Sequence, residues 1–306
     1  MNEYIIDDIA KKDIENFFLK TQIVKEKFPT IIDRFRSSRL NFLRLNGLNN
    51  FSKYPQTKLD EYNFIWAKKN VIKNFNIDEL SGDNLNLTTY VLDNNKLRKA
   101  PQWSLNSLGI LIFSSYLRKN SQSVKSVLEI GSGNGLNLIA LAVAFPNIRF
   151  VGLELTKEGV NQAKKALLAK NAIKNLCKFI FGNSVEYKGQ EITNIEFIEL
   201  DVVELSPSII NPDQIFSFLA LEQMESVFEG FLKAFKLMKG SSFFLFEPFL
   251  EFNNYKQKEI LRRKGYLYRS TKELNKISDE SFQSYYLPRK INKMKYAYGI
   301  VLGRIA

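Results

Sequence analysis

From residue 125 onward, short apolar runs alternate with amphipathic stretches of helix length. SVLEI (126–130), IRFVGLEL (148–155), IEFIELD (195–201), QIFSFLAL (214–221) and SSFFLFEPF (241–249) have the length and the aromatic or β-branched content of strands buried on both faces. Between them, NGLNLIALAVAF, TKEGVNQAKKALLAKNA, EQMESVFEGFLKAFKLM and NNYKQKEILRRKGY carry helical spacing. Strands separated by helices in this way predict a doubly wound, mostly parallel α/β sheet. The tail, SYYLPRK to GIVLGRI, adds two strands, read as a closing hairpin at the sheet edge and bringing the total to seven. CKFIFGNSVEYKGQEI (177–192) reads two ways, as an extra strand with a loop or as the third strand itself. IEFIELD is preferred as strand three because an acid ends it.

The first hundred residues differ in texture. Residues 13–45 and 59–75 repeat apolar positions at three- and four-residue spacing, with Pro29 as a break or first-turn residue. LTTYVL reads as a short strand, and WSLNSLGILIFSSYLRKN as a helix leading into the sheet. The expectation is a mainly helical N-terminal cap over residues 1–100, forming the substrate region, and a nucleotide-binding domain over 101–306.

The chemistry enters at VLEIGSGNG (127–135), a glycine turn between the first strand and its helix. Gly131, Gly133 and Gly135 sit where the backbone must bend tightly and admit a ligand closely. The spacing lacks the third glycine of the dinucleotide fingerprint, since Leu136 stands in its place, which argues against a bound pyrophosphate. Glu129, just before the turn, suits a positively charged group. Glu154, ending the second strand, can accept hydrogen bonds from both hydroxyls of a ribose. Asp201, ending the third, can reach an adenine amino group, with Leu155 and Val202 on either side of the ring.

These stretches, VLEIGSGNG, FVGLELT, FIELDV and FSFLALEQM, resemble the class I S-adenosylmethionine-dependent methyltransferases over residues 101–306. The resemblance does not reach the first hundred residues. It implies a Rossmann-like fold and S-adenosyl-L-methionine as cofactor. The loop from Glu129 to Gly135, Ser132 included, would wrap the methionine part. Glu154 would take the ribose and Asp201 the adenine amine.

Composition narrows the acceptor chemistry. The chain has no histidine, which removes the usual imidazole metal sites, the Ser-His-Asp triad and the commonest neutral-pH base. Glu222, after the fourth strand, and Glu247, ending the fifth, are the candidate catalytic carboxylates. Glu222 has a second reading as a helix N-terminal acid that complements the dipole. Glu251 and Tyr255 lie close behind Glu247. LEQM replaces the Asn/Asp-Pro-Pro-aromatic stretch of enzymes that methylate the amino groups of adenine or cytosine in nucleic acid. The single cysteine, Cys177, is misplaced for methylation at carbon 5 of cytosine, and Asn211 and Asp213 precede strand four, on the wrong side for a metal.

The net charge of +12 suits an anionic partner without choosing one. Arg34, Arg36, Arg39 and Arg44 form one basic group. Lys256, Lys258, Arg262, Arg263, Lys264 and Arg269, followed by Arg289, Lys290, Lys293 and Lys295, form another. No RNA-binding module accompanies them. The expected acceptor is a small anionic, phosphorylated or sugar-like metabolite, methylated on oxygen or nitrogen. RNA or protein is the rival acceptor, and a non-catalytic partner-binding role is the third reading. Trp66 and Trp103 are candidate pocket residues. No apolar run reaches the ~20 residues of a membrane span. No export signal is read at the N-terminus, and one cysteine fits a reducing, cytoplasmic setting. No heptad or exposed strand indicates an oligomer.

Overall fold

The computed structural model describes residues 104–264, 266–267, 269–278 and 298–306, together with the strands Gln22–Ile23, Thr88–Asp93, Lys96–Pro101 and Gln283–Tyr286. The first three strands, β1 to β3, form a small antiparallel sheet in the order β1-β3-β2. Thus Gln22 and Ile23, inside a stretch with helical spacing, pair with Lys99 and Arg98. Within the expected strand LTTYVL, residues from Thr88 on form the strand Thr88–Asp93, and its partner Lys96–Pro101 is additional to the expected elements. The rest of the expected N-terminal helices, with Trp66, Trp103 and the arginines from Arg34 to Arg44, lie outside the described residues.

The main sheet is built from β4 (Ser126–Ile130), β5 (Arg149–Glu154), β6 (Ile195–Glu199), β7 (Gln214–Phe218), β8 (Ser242–Glu247), β9 (Gln283–Tyr286) and β10 (Gly299–Arg304). Its order is β6-β5-β4-β7-β8-β10-β9. The first five strands are parallel, and β10 runs antiparallel between β8 and β9. The chain winds outward from β4 to β6, then returns to the other side of β4 as β7. That reversal opens a crevice at the carboxyl ends of β4 and β7, where open α/β sheets bind ligands.

Side-chain alternation along these strands divides the core in two. Val127, Phe150, Phe216, Phe244 and Phe246 face one layer, with helices α1 (Ser104–Lys119), α2 (Leu136–Ala144), α3 (Lys157–Leu168) and α4 (Lys170–Phe181). Leu128, Val151, Ile215, Phe243 and Leu245 face the other, with α5 (Phe228–Lys236). A further helix, α6 (Tyr255–Lys264), follows β8. One stacked pair binds α1 to the sheet, Phe113 lying 4.2 Å from Phe216, and another joins β7 to β8, Phe218 lying 4.5 Å from Phe246. Each such pair adds about 0.5–1.5 kcal/mol beyond its burial.

The ambiguous stretch after Ala172 resolves as neither expected alternative. Residues 177–181 continue α4, and the chain from 182 to 194 is irregular, so strand three is Ile195–Glu199. Ile173, Leu176, Cys177, Ile180 and Phe181 are buried at helical spacing, which explains the outcome. A break at Ala169 separates α3 from α4. The helix expected from Glu222 begins at Phe228, because two short 3₁₀ turns precede it.

Gly109 on α1 shows how closely helix and sheet approach. A Cβ built there would lie 2.0 Å from Cε2 of Phe218, whose ring is held by its stack on Phe246. Gly→Ala inside a helix ordinarily stabilises by about 0.5–1 kcal/mol. Here the sign reverses: Gly109→Ala is expected to destabilise by about 1–3 kcal/mol through overpacking. A lowered urea midpoint at unchanged slope would verify it, and a raised midpoint would refute the packing argument.

Candidate active site

A cavity of about 320 Å³ opens at the carboxyl ends of β4, β5, β6 and β7. This size lies within the range of small-molecule sites. Its floor is the glycine turn. Gly131, Gly133 and Gly135 have φ of 67°, 55° and 74°, a left-handed backbone that favours glycine. At Gly131 there is also no room for a side chain, since a Cβ would lie 2.5 Å from that of Ala220 on the opposite wall. Gly135 stands immediately before α2, against Phe197 and Ala163.

Glu154 organises the floor. Its Oε2 accepts the Gly133 N–H at 2.9 Å, and its Oε1 accepts the Thr156 hydroxyl at 2.6 Å and the Thr156 N–H at 3.1 Å. The Thr156 oxygen in turn accepts the Gly159 N–H and caps α3. Gly159 lets the helix approach, because a Cβ there would lie 2.7 Å from Cγ of Glu154. Asp201 follows β6, and its Oδ1 accepts the Val203 N–H at 3.1 Å.

Of the expected cofactor residues, Gly131, Ser132, Gly133, Glu154, Leu155, Asp201 and Val202 line the cavity. Glu129 and Gly135 support the turn from behind it. Glu129 is buried, its Oε1 accepts the Asn137 amide at 2.9 Å, and its Oε2 has no hydrogen-bond partner among the described residues. Burial pushes the Glu129 carboxyl up to about 8, with Asn137 opposing the rise and Glu154 adding to it. Ser132 likewise holds a buried hydroxyl oxygen without a partner among the described residues. Ser132 lines the cavity and Glu129 stands behind it, so these two oxygens are open to a water or a polar ligand. The oxygens of Glu129 and Ser132 fit an ammonium-bearing group, and Glu154 and Asp201 fit hydroxyl and amine donors.

The two expected catalytic carboxylates stand elsewhere. Glu247 is fully buried and does not line the cavity. Its position on β8 shares a face with Phe243 and Leu245, so alternation turns it into the core. Its carboxyl accepts the Ser217 hydroxyl and the N–H groups of Ala220, Leu221 and Glu222. Burial raises its pKa against the pull of these donors. Glu222 is also buried and off the cavity wall, and its Oε1 accepts the Gln223 amide at 2.8 Å. Glu251 is engaged by Ser270 and Thr271, and the Tyr255 side chain is exposed.

Other cavity residues were not singled out from the sequence, although Phe218 to Ala220, Gln223 and Met224 lie within FSFLALEQM and Asn134 within VLEIGSGNG. Gln223, Met224, Ser226 and Val227 form the wall after β7, with Phe218, Leu219 and Ala220, while Asn134 and Asn137 stand on the turn side. Leu219 has φ of 55°, a strained conformation for a side chain of its size. Asp213 lies at the opposite end of the sheet, where its Oδ2 accepts the Lys125 and Ser126 N–H groups. Cys177 is buried in the core, and burial pushes its thiol up to about 12. In the second basic group, Arg269 stacks over Phe228 and pairs with Glu273, and Arg262 pairs with Glu259. Arg289, Lys290, Lys293 and Lys295 lie outside the described residues.

Residues 123–219 match the family model described as putative methyltransferase. This is the fold of the class I S-adenosylmethionine-dependent methyltransferases. The resemblance read from the glycine turn and the strand-end acids is borne out, and S-adenosylmethionine is the cofactor that goes with it. A tRNA (guanine-N(7)-)-methyltransferase of Buchnera aphidicola subsp. Schizaphis graminum is 39% identical over 74 residues. The match spans 24% of this chain and 29% of that protein's own length. Among solved structures, the mitomycin 7-O-methyltransferase MmcR is similar at 15% identity, with 67% of this chain and 55% of that chain covered and a TM-score of 0.43. The methyltransferase domain of bacterial CtHen1 is 15% identical, with 66% and 100% covered and a TM-score of 0.44. PH0226 of Pyrococcus horikoshii OT3 is 13% identical, with 66% and 91% covered and a TM-score of 0.43.

The raised Glu129 carboxyl has a stability signature. Between the ordinary carboxylate range and about pH 8 the native state keeps a proton that the unfolded chain has lost. Its contribution is complete below the unfolded pKa and disappears as pH rises through about 8. Glu247 acts in the same sense. Melting temperature is therefore expected to fall as pH rises across this window, and Glu129→Gln to make that fall shallower. An identical slope in the variant would mean that Glu129 is already ionised in the native protein.

Proposed function

We propose that this chain transfers the methyl group of S-adenosylmethionine to a small acceptor, anionic or sugar-like, through a nucleophile that needs no carboxylate base. The observation that carries this reading is the convergence of Ser132, Glu154 and Asp201 on one cavity whose far wall holds Gln223 and Ser226. When bound, the cofactor supplies a methyl group already activated by its sulfonium. The protein's task is then to bind and align, which can lower a barrier by roughly 7–11 kcal/mol.

In this reading Glu129 and Ser132 hold the methionine end, with Glu129 ionised once a cation faces it. Glu154 takes the ribose hydroxyls and Asp201 the adenine amine, with Leu155 and Val202 against the ring. A carboxylate offers about four acceptor positions. Glu154 already uses three on Gly133 and Thr156, so one position stays open for a ribose hydroxyl and the second must displace or share an existing bond.

The acceptor faces Gln223, Ser226, Met224 and Val227. Among the described residues, the carboxylates on the cavity wall are Glu154 and Asp201, both on the cofactor side. A neutral nitrogen, which attacks through its own lone pair, suits such a wall better than an alcohol that must first lose a proton. Residues 1–100 are proposed as the substrate region and 101–306 as the catalytic domain. A second reading, an RNA base nitrogen as acceptor, is favoured by the similarity over 74 residues to the tRNA (guanine-N(7)-)-methyltransferase and by the net charge of +12.

Calorimetric titration with S-adenosylhomocysteine is the direct test. Wild type is expected to bind, and Glu154→Ala and Asp201→Ala each to weaken binding about ten- to a hundredfold, the range of a lost charged hydrogen bond. Labelled methyl donor then separates the acceptors. Transfer to small amines or phosphorylated metabolites supports the main reading, and transfer to RNA alone replaces it with the second. Folded wild type that binds no S-adenosylhomocysteine would overturn both.

A further inference from the structure

We infer that Glu247 is a positioning residue: its buried carboxyl holds the segment Leu219–Met224 in place and thereby sets the acceptor wall of the cleft. The inference rests on the reading of that cleft as the methyl-transfer site, and gives Glu247 a part in it other than proton transfer.

Four donors converge on one side chain with no exposed surface. Oε1 accepts the Ser217 hydroxyl at 2.5 Å, the Ala220 N–H at 2.9 Å and the Leu221 N–H at 3.0 Å. Oε2 accepts the Glu222 N–H at 3.0 Å. Three consecutive backbone N–H groups aimed at one acceptor form a nest, the arrangement that elsewhere binds phosphate. Here the acceptor is the protein's own carboxyl. The chain reaches this geometry by putting Leu219 into the left-handed region, a strain of order 1–3 kcal/mol that the converging bonds offset. The Leu219 N–H itself donates to the Phe246 carbonyl at 3.0 Å, so the strained residue is pinned to the strand that ends in Glu247.

The segment held in this way is the wall of the cavity. Ala220 packs against Gly131 so closely that a Cβ there would lie 2.5 Å from its own. The next residues supply Gln223 and Met224 to the cavity, and Glu222 accepts the Gln223 amide. A shift of the nest therefore moves the Gln223 side chain and the contact with the glycine turn together. Backbone N–H groups only donate, so the acceptor set at position 247 is what matters. Glutamine keeps one acceptor oxygen but turns its NH₂ toward the Glu222 N–H, donor against donor. Aspartate keeps both carboxyl oxygens at a shorter reach. Ser217→Ala removes one donor and leaves all three backbone bonds in place.

Amide hydrogen exchange by mass spectrometry on the full chain tests this. Glu247→Gln is expected to speed exchange about tenfold or more in peptides covering 219–227, consistent with loss of a buried hydrogen bond. Peptides covering 126–154 are expected to exchange as in wild type. Glu247→Asp should lie between, and Ser217→Ala should change the segment less than about threefold. S-adenosylhomocysteine affinity should fall about tenfold in Glu247→Gln while far-UV circular dichroism is preserved. If Glu247→Gln does not fold, Glu247→Asp carries the same comparison. Exchange that rises uniformly over the sheet, or does not rise at 219–227, would overturn the positioning role. Failure of wild type to bind S-adenosylhomocysteine would remove the methyl-transfer reading, while the local exchange pattern would still judge whether Glu247 holds the segment.

Discussion

The N–H of Gly133 donates to Oε2 of Glu154, and this bond joins the two loops that make a ligand site out of a sheet edge. One loop is the turn after β4, whose three glycines adopt a backbone that other residues resist. The other is the start of α3, capped by Thr156, which also donates to Glu154. A buried carboxylate between them satisfies both, and the low local dielectric strengthens every bond it makes. The same carboxylate also holds Thr156, which caps α3 and brings that helix to the cavity.

A similar device recurs across the crevice with the opposite orientation to solvent. Glu154 and Glu247 both end parallel strands and both gather backbone N–H groups. Glu154 keeps an edge on the cavity, whereas Glu247 is sealed behind the wall it supports. One carboxylate is thus available to a ligand and the other only to the protein. The wall between them, apolar apart from Gln223 and Ser226, is where acceptors would be distinguished.

Much of this was legible in the residues. Periodicity located the five parallel strands and the closing pair, and the acids ending β5 and β6 fell beside the glycine turn because parallel strands bring their carboxyl ends to one edge. Depth was harder to read. Glu222 and Glu247 also follow strand ends, but alternation from Phe243 through Leu245 turns Glu247 into the core, and the 3₁₀ turn after β7 withdraws Glu222 from the rim. Helix α4 was missed because CKFIF is as apolar and aromatic as a strand, and only the wider spacing from Ile173 to Phe181 reveals a helix. The partner strand Lys96–Pro101 was hidden by its basic composition, which carries no alternating apolar face.

The insertion of β10 between β8 and β9 has a consequence for how the chain acquires its shape during synthesis. The five parallel strands and their helices leave the ribosome with one side of β8 unpaired, from Ser242 to Glu247. That edge is SFFLFE, apolar and aromatic, the composition of a strand that recruits a second chain when left unpaired. It is closed only when Gly299–Arg304 arrives and threads between β8 and β9. For that interval the nascent protein carries an aggregation-prone seam, and its solubility depends on how quickly the last strand is delivered.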